Sequence, residues 1–386
     1  MRLKTILCAP LVLSAALVCS CSAAAPAGSG VSVTRAESHV ISQAELSRAG
    51  RLDEVVESYY KSGKFEGVAL VVGDGNILLK KAYGLANREW NVPNTVTTRF
   101  NIASLAKSFT AILIMQLQQE GKLKLDNNLA TYLPQYPAEA GQKVTLRQLL
   151  IHTSGIVNYE KLTPDPLDAY RTPLLLDEFI ARYCSKPLES QPGTKFNYNN
   201  ADYILLTKVI EQVCGKSWEQ VVAEKILEPL KMRDTGCLKS QAVLARLASG
   251  YTVDSTGAAQ RDPFYYVENY FGAGAMYSTV EDLLQLDKAL RSNQLLSEQT
   301  KELMYVSNPQ LGYVAIGSWV SSQPVGNKMR RVSERYGNTW GFHSTFVRFL
   351  DDRNTIILLT NNHRPGKNYE YEMKNELVRV LYEDLT

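Results

Sequence analysis

Ser104 and Lys107, in the stretch FNIASLAKSF, stand three residues apart at the start of an apolar run, so a helix would place both side chains on one face. That helix is otherwise almost wholly apolar, and Lys107 must therefore be paired or desolvated. Desolvation lowers the pKa of a lysine from about 10.4, and the neutral amine can then take a proton from serine. The pair has the form of a nucleophile and its base. The alternative is that Ser104 is only a helix N-cap and that Lys107 reaches water.

Spacing alone is weak evidence, because S-x-x-K occurs again at Ser58 and Lys61, within a helix of surface type. The sequence has no G-x-S-x-G motif, which argues against the common α/β-hydrolase arrangement. It also has no H-E-x-x-H motif or paired cysteine site, so we expect neither a metal nor another cofactor. His152, in HTSGI, can serve as a base in principle, but a histidine satisfied within a turn is more common.

The first 30 residues have the features of a secretory signal peptide: the basic residues Arg2 and Lys4, an apolar run to Val18, and small residues after it. Two processing routes stay open. One is a lipoprotein attached to the membrane through a lipid on Cys21, and the other is a soluble form cleaved after Ala23 or the next residue. Either route exports the domain from the bacterial cytoplasm, and we expect it in the periplasm.

The charge balance narrows the choice of partner. The chain has 42 Lys and Arg and 39 Asp and Glu, and removing Arg2 and Lys4 leaves 40 against 39, a net charge of +1. Such a balance does not favour nucleic acid or another polyanion. We expect a monomer that acts on a small molecule or peptide.

Hydrophobic periodicity gives the order of the elements. A first helix is predicted over 42–61, followed by a hairpin that turns at Gly73-Asp74-Gly75. A buried helix is predicted over 105–119, and Gly121 is a suitable residue to end it. Residues from about 122 to 300 are mainly helical, with start signals at 145–148, 217–220 and 278–281. Two strands joined by a turn at 351–354 and a helix over 368–382 close the chain.

Four stretches, in this order, resemble the serine β-lactamase and penicillin-binding-protein superfamily, in the branch of class C β-lactamases, D-alanyl-D-alanine carboxypeptidases and related esterases. They are FNIASLAKSFTA, LRQLLIHTSGI, QPGTKFNYNNADYILL and GAGAMYSTVEDLLQL. The resemblance runs from about 46 to 385. It implies that Ser104 is the nucleophile and that Lys107 is one of its proton acceptors.

The resemblance also implies the other site residues. The Y-x-N motif falls on Tyr198 and Asn200, so that Tyr198 would share proton transfer with Lys107 while Asn200 binds Lys107 and the substrate amide. The third motif falls on Arg335-Tyr336-Gly337, where relatives have K-T-G or H-x-G. Arg335 would then hold a substrate carboxylate, Gly337 would admit the substrate backbone, and the N–H groups of Ser104 and Asn338 would form the oxyanion hole.

The expected fold class is α+β, with a mainly antiparallel sheet built from both chain ends, flanking helices and an all-helical lobe. We expect a signal peptide over 1–21, a tether over 22–45 and a hydrolase domain over 46–386, in which 46–103 and 305–386 form the sheet lobe and 104–304 the helical lobe. The expected function is a cell-envelope peptidase or esterase. A class C-like β-lactamase stays open, although Tyr336 replaces the family's hydroxyl residue, and so does a non-catalytic penicillin-binding sensor.

Overall fold

The fold comes from a computed structural model, which describes residues 43–383. The predicted signal peptide lies outside the described residues, as does the predicted tether up to residue 42. No helix within the described residues is both long and apolar enough to cross a membrane.

Ten α-helices occur in the described residues, and several short 3-10 turns connect them. The helices are α1 (Gln43–Lys61), α2 (Ala106–Gln119), α3 (Ala138–Gly141), α4 (Leu146–Leu150), α5 (Leu176–Phe179), α6 (Asn200–Cys214), α7 (Trp218–Val222), α8 (Val280–Arg291), α9 (Glu298–Met304) and α10 (Tyr369–Tyr382).

Fifteen strands are described, most of them short. The strands are β1 (Gly67–Gly73), β2 (Asn76–Tyr83), β3 (Leu85–Asn87), β4 (Val92–Pro93), β5 (Phe100–Asn101), β6 (Gly236–Cys237), β7 (Tyr251–Val253), β8 (Ala259–Arg261), β9 (Met276–Ser278), β10 (Val314–Ala315), β11 (Ser318–Val325), β12 (Lys328–Thr339), β13 (Phe342–Phe349), β14 (Thr355–Thr360) and β15 (Asn362–His363).

The main sheet has seven antiparallel strands in the order β10-β11-β12-β13-β14-β1-β2. Strands β1 and β2 come from the beginning of the domain, and the other five come from its end. The chain leaves the sheet after β2 and returns at β10, so the helices between them form a separate layer. This arrangement confirms the predicted α+β fold with sheet strands from both chain ends.

The buried strand β1 separates two hydrophobic clusters, because successive side chains of a strand point to opposite faces. Val68 and Leu70 pack in the cluster that contains α2 and α6, whereas Ala69 and Val71 pack in the cluster that contains α1 and α10. Both faces of the sheet are therefore covered by helices. The larger cluster holds the beginning of α2, which is the element that carries the predicted nucleophile.

Most predicted elements are present, with two differences. The third predicted helix start is displaced by one residue, because Thr279 rather than Ser278 caps α8. The lobe predicted as all-helical also contains the short strands β6 to β9, which pair with one another or with β5 and β15. These short pairings join the helical layer to the segments that border the main sheet.

Candidate active site

Ser104 lies in a short 3-10 turn, Ala103–Leu105, that leads directly into α2. Ala103 has φ of 45°, a left-handed conformation that is strained for a residue with a Cβ, and its N–H donates to Asn101 Oδ1 at 2.9 Å. The N-cap positions of the two helical segments are Ile102 and Leu105, not Ser104. The Ser104 hydroxyl is thus held at the beginning of α2 without serving as its cap.

Lys107 is fully buried one turn further along α2. Its Nζ donates to Ser104 Oγ at 3.1 Å, to Asn200 Oδ1 at 2.6 Å and to the Ala273 carbonyl at 2.7 Å. Desolvation lowers the pKa of Lys107; the charge of Tyr198 partly opposes this shift. The lysine is therefore paired inside the protein and does not reach water, so a neutral amine becomes accessible at lower pH than for a free lysine.

Tyr198 precedes α6 and points at the same serine, since its Oη donates to Ser104 Oγ at 2.7 Å. Burial raises the pKa of the phenol, but the positive charges of Lys107 and Arg335 outweigh burial and lower this pKa to about 8. Ser104 thus has two groups within hydrogen-bond distance, Lys107 and Tyr198, that can exchange a proton with it, and both have a lowered pKa.

Asn200, the first residue of α6, connects Lys107 to a carboxylate. Its Oδ1 accepts from Lys107, so its Nδ2 faces the other way and donates to both carboxylate oxygens of Glu160 at 3.1 Å. Tyr170 Oη donates to Glu160 Oε1 at 2.7 Å. The orientation of the Asn200 amide is thereby fixed from both ends.

Strand β12 extends beyond the last residue that pairs with β11, so residues 335–339 have no β11 partner and lie beside the turn of Ser104. A Cβ added to Gly337 would lie 2.2 Å from the carbonyl oxygen of Ile102 and 3.1 Å from the nitrogen of Leu105. The close approach that Gly337 permits is to the chain itself. The predicted role of Gly337 in admitting a substrate backbone stays a prediction, since the edge of β12 at residues 335–339 is not paired with β11.

Arg335 is only 3% exposed and lies behind Tyr198. Its Nε donates to the Ser104 carbonyl at 2.8 Å, its Nη2 donates to Tyr198 Oη at 3.2 Å, and its guanidinium lies 5.2 Å from the ring centroid of Trp319. It is not among the residues that line the cavity at Ser104. The predicted role of Arg335 as a ligand of a substrate carboxylate stays a prediction; in this structure its Nε and Nη2 are directed at the chain itself.

His152 lies beneath the ring of Tyr198, with 4.5 Å between the ring centroids. Its Nδ1 is 3.0 Å from Asp202 Oδ2, and Ser154 Oγ donates to Asp202 Oδ1 at 2.5 Å. Burial lowers the pKa of His152 well below its usual value and raises the pKa of Asp202. The Nδ1 of His152 is thus paired with Asp202 on α6, its Nε2 is buried without a hydrogen-bond partner among the described residues, and its ring packs against the Tyr198 ring.

A cavity of ≈ 250 Å³ opens at Ser104. Four of the residues predicted from the sequence line it: Ser104, Tyr198, Asn200 and Asn338. The other three predicted residues do not line the cavity and are buried next to those that do: Lys107, Arg335 and Gly337. Within residues 43–383, no group of three or more His, Cys, Asp or Glu side chains is placed to hold a metal ion.

Other residues of the site were not found from the sequence. Glu160 and Thr339 line the cavity, Trp319 stacks on Tyr198 with 6.2 Å between centroids, and the Ala273 carbonyl accepts from Lys107. Two signals were available in the sequence: Glu160 stands four residues after the stretch LRQLLIHTSGI, and Ala273 lies within GAGAMYSTVEDLLQL. Thr339 and Trp319 depend on contacts between distant segments, which no local pattern reports.

Comparisons with known proteins identify the family of the chain. The family model described as Beta-lactamase matches residues 52–379. A teichoic acid D-alanine hydrolase of Staphylococcus aureus is 28% identical over 306 residues, covering 79% of this chain and 72% of the relative. The putative penicillin-binding protein PbpX of Bacillus subtilis is 31% identical over 277 residues, covering 69% of this chain and 66% of the relative.

Among solved structures, a penicillin-binding protein from Bacillus halodurans superposes with a TM-score of 0.71 at 27% identity, covering 84% of this chain and 97% of that one. A seven-stranded antiparallel sheet flanked by helices, with a serine and a lysine one turn apart at the start of a buried helix, defines a serine hydrolase. The chain belongs to the beta-lactamase family.

Proposed function

We propose that this serine hydrolase is an exported peptidase or esterase of the cell envelope, which cleaves a D-alanyl amide or ester through an acyl-enzyme on Ser104. The observation that carries the proposal is the position of Ser104 Oγ, 3.1 Å from Lys107 Nζ and 2.7 Å from Tyr198 Oη. Export is supported by the targeting features of the first 30 residues. The D-alanyl group is supported by the name of the S. aureus relative.

In acylation, the Tyr198 phenolate, formed near pH 8, accepts the proton of Ser104 while Oγ bonds to the substrate carbonyl carbon. The N–H groups of Ser104 and Asn338 stabilise the oxyanion, and each such donor contributes on the order of 10²–10³ in rate. When the tetrahedral intermediate collapses, the ester or amide bond breaks. The leaving alcohol or amine takes the proton from Tyr198 or Lys107.

Deacylation repeats these steps with water as the nucleophile. Tyr198 takes a proton from water, the new oxygen bonds to the acyl carbon, and the Ser104 oxygen leaves and recovers the proton. Lys107, held by Asn200 and the Ala273 carbonyl, keeps its amine beside the serine throughout. The reaction consumes one water and releases a carboxylic acid, with no cofactor.

Mass spectrometry of the described domain tests the proposal, with p-nitrophenyl acetate and a penicillin as separate probes. We expect an acyl adduct on Ser104 in the wild type and none in Ser104→Ala, whose hydrolysis rate should fall by at least about 10³-fold. Ser58→Ala is the matched control, because it removes the serine of the second S-x-x-K motif, whose Oγ donates only to the Val55 carbonyl on α1.

The outcomes separate the candidate functions. A long-lived penicilloyl adduct on Ser104 with ester turnover supports a peptidase or esterase. Rapid turnover of penicillin favours the class C-like β-lactamase instead. An adduct on any other serine, or unchanged activity in Ser104→Ala, overturns the assignment of the nucleophile.

A further inference from the structure

The hydroxyl of Tyr265 lies between the two segments that carry the proposed oxyanion donors. Asn101 Nδ2 donates to Tyr265 Oη at 3.4 Å, and this Oη is 3.3 Å from Thr339 Oγ1. Asn101 stands three residues before Ser104, and Thr339 directly follows Asn338. The reaction proposed above uses the N–H groups of Ser104 and Asn338 but gives Tyr265 no part.

On the side of the nucleophile, Asn101 holds the turn that leads to Ser104. Its Oδ1 accepts from the N–H of Ala103 at 2.9 Å, and Ala103 is the residue with the strained φ of 45°. The Ser104 N–H belongs to the planar peptide unit that begins at Ala103, so the conformation of Ala103 determines where this N–H points. Because Oδ1 faces Ala103, the Nδ2 of Asn101 faces Tyr265, whose oxygen fixes the orientation of the amide.

On the side of the strand, the segment 262–265 contacts the end of β12 twice. Asp262 Oδ1 accepts from the Gly341 N–H at 2.8 Å, in the turn between β12 and β13, and Tyr265 Oη contacts Thr339. Burial raises the pKa of Tyr265 to about 12, so the hydroxyl keeps its proton and can donate it to Thr339 Oγ1 while it accepts from Asn101. The segment therefore ties the end of β12 to the strand that precedes the nucleophile.

Tyr265 acts through its neighbours, because it is not among the residues that line the cavity at Ser104. Tyr265 and Asn101 line a second cavity of ≈ 610 Å³, whereas their partners Ala103 and Thr339 line the cavity at Ser104. These four residues form a wall between the two cavities. A hydroxyl within this wall is placed to set the separation of its two halves.

We propose that Tyr265 is a positioning residue of the oxyanion hole: its hydroxyl joins Asn101 to Thr339 and so sets the distance between the N–H groups of Ser104 and Asn338. This inference rests on the proposed acyl-enzyme and adds a residue to its machinery. Acylation and deacylation both pass through an oxyanion at these donors, so loss of the hydroxyl slows both steps. Because both steps slow alike, kcat falls while KM, which depends on their ratio, changes little.

Tyr265→Phe removes the hydroxyl and keeps the ring. With p-nitrophenyl acetate we expect kcat to fall about 5- to 20-fold, the lower part of the range for two hydrogen bonds because both contacts are long, and KM to stay within about twofold of wild type. The acid limb of kcat/KM against pH should not move, since Tyr198 keeps its contacts. Tyr132→Phe is the control, because it removes a hydroxyl that joins Lys124 to Asn127 outside the cavity, and it should leave kcat unchanged.

Two further measurements separate positioning from a general structural role. Phenylboronic acid bonds reversibly to a serine Oγ and becomes tetrahedral and anionic, so its dissociation constant should rise in Tyr265→Phe by about the factor by which kcat falls. Thr339→Val should also lower kcat. In the double variant Tyr265→Phe/Thr339→Val the loss should be smaller than the product of the two single losses, because the second substitution removes a bond that is already absent.

Four results would overturn the inference: a kcat of Tyr265→Phe within twofold of wild type, a loss confined to KM, unchanged affinity for phenylboronic acid, or a double-variant loss equal to the product of the single losses. Unchanged kcat in Thr339→Val overturns it independently, so a misfolded Tyr265→Phe does not leave the question open. All these results leave the acyl-enzyme intact if p-nitrophenyl acetate labels Ser104 in the wild type. Absence of that label overturns the proposed function itself.

Discussion

Tyr198 lies between two buried cations. Lys107 and Arg335 are each at most 3% exposed, and neither forms an ion pair with a carboxylate within residues 43–383 at 4 Å or less. Burying an unpaired cation is costly, so both positive charges favour an anion between them. The phenolate of Tyr198 is the nearest group that can supply it, which explains why burial fails to keep its pKa high.

Replacing Arg335 tests this electrostatic role. Arg335→Gln removes a positive charge that favours the phenolate, so the pKa of Tyr198 should rise from about 8. The acid limb of kcat/KM against pH should then move upward by about one unit, with about tenfold lower activity at pH 7. The control is Arg331→Gln, on the same strand as Arg335, which loses an exposed ion pair with Glu302. It should leave the acid limb of the pH profile in place. If the acid limb of kcat/KM against pH does not move in Arg335→Gln, Arg335 does not lower the pKa of Tyr198.

At the residue scale, the sequence separates Ser104 from Ser58 because the surrounding patterns differ. Lys107 lies in an almost wholly apolar helix, and the structure buries it completely, whereas Lys61 is exposed and pairs with Glu57. Glu160 could not be predicted in this way. Its place at the cavity depends on Asn200, forty residues later, and on the path of the intervening loop.

At the scale of elements, the turn 103–105 packs directly on β12, and this contact determines where Ser104 lies. Gly337 faces the turn, and Ser344 Oγ on β13 donates to the Ile102 carbonyl at 2.8 Å. Strand and turn are so close that a side chain at Gly337 has no space. The third sequence motif therefore acts through backbone packing as well as through its charge.

Gly337→Ala should displace this turn. Its new Cβ would meet the Ile102 carbonyl oxygen at 2.2 Å, and we expect a loss of about 1–3 kcal/mol in the free energy of unfolding, together with a fall in kcat. Gly50→Ala is the control, since nothing lies within 4 Å of its added Cβ in α1 and alanine should stabilise a helix by about 1 kcal/mol. Urea denaturation and ester hydrolysis measure both quantities. Equal stability of Gly337→Ala and wild type would refute the packing argument.

Elements with a strong local signal could be predicted, and those defined by pairing could not. The capping boxes at Thr145 and Ser217 are present, and the hairpin turn at 73–75 joins β1 to β2. Ser278 was predicted to begin α8, but it is the last residue of the short strand β9. Its Oγ is 2.7 Å from Thr235 Oγ1, and Thr279 is the N-cap of α8. Two adjacent hydroxyl residues look alike in the sequence, and only the tertiary contact separates them.

At the scale of the whole molecule, the helical layer must be fixed to a sheet whose strands come from both chain ends. Asp287 on α8 provides one connection. Its carboxylate accepts from Arg348 Nε on β13 at 2.6 Å, from Thr355 Oγ1 on β14 at 2.7 Å and from Arg291 Nε at 2.9 Å. Asp287 is only 2% exposed, so its negative charge is compensated almost entirely by these partners.

Asp287→Asn should destabilise the domain more than the loss of any exposed pair. It leaves Arg348 buried without its counter-charge, and we expect a loss of about 3–5 kcal/mol in the free energy of unfolding at pH 7. Asp126→Asn, which breaks a pair whose carboxylate side chain is 76% exposed, should cost about 0–1 kcal/mol. Urea denaturation of the three proteins measures the differences.

The pH dependence gives this last prediction a second test. Burial raises the pKa of Asp287, but Arg348 and Arg291 outweigh it, so the pKa is below its usual value in the folded state. A lowered carboxyl pKa stabilises the fold at every pH above the unfolded value of about 3.9. The difference in free energy of unfolding between wild type and Asp287→Asn should therefore be constant from pH 8 to about pH 5. It should shrink only below about pH 4, because the unfolded chain takes up the proton first. If this difference in free energy of unfolding becomes smaller between pH 8 and pH 6, the Asp287 carboxylate is not the group that joins α8 to the sheet.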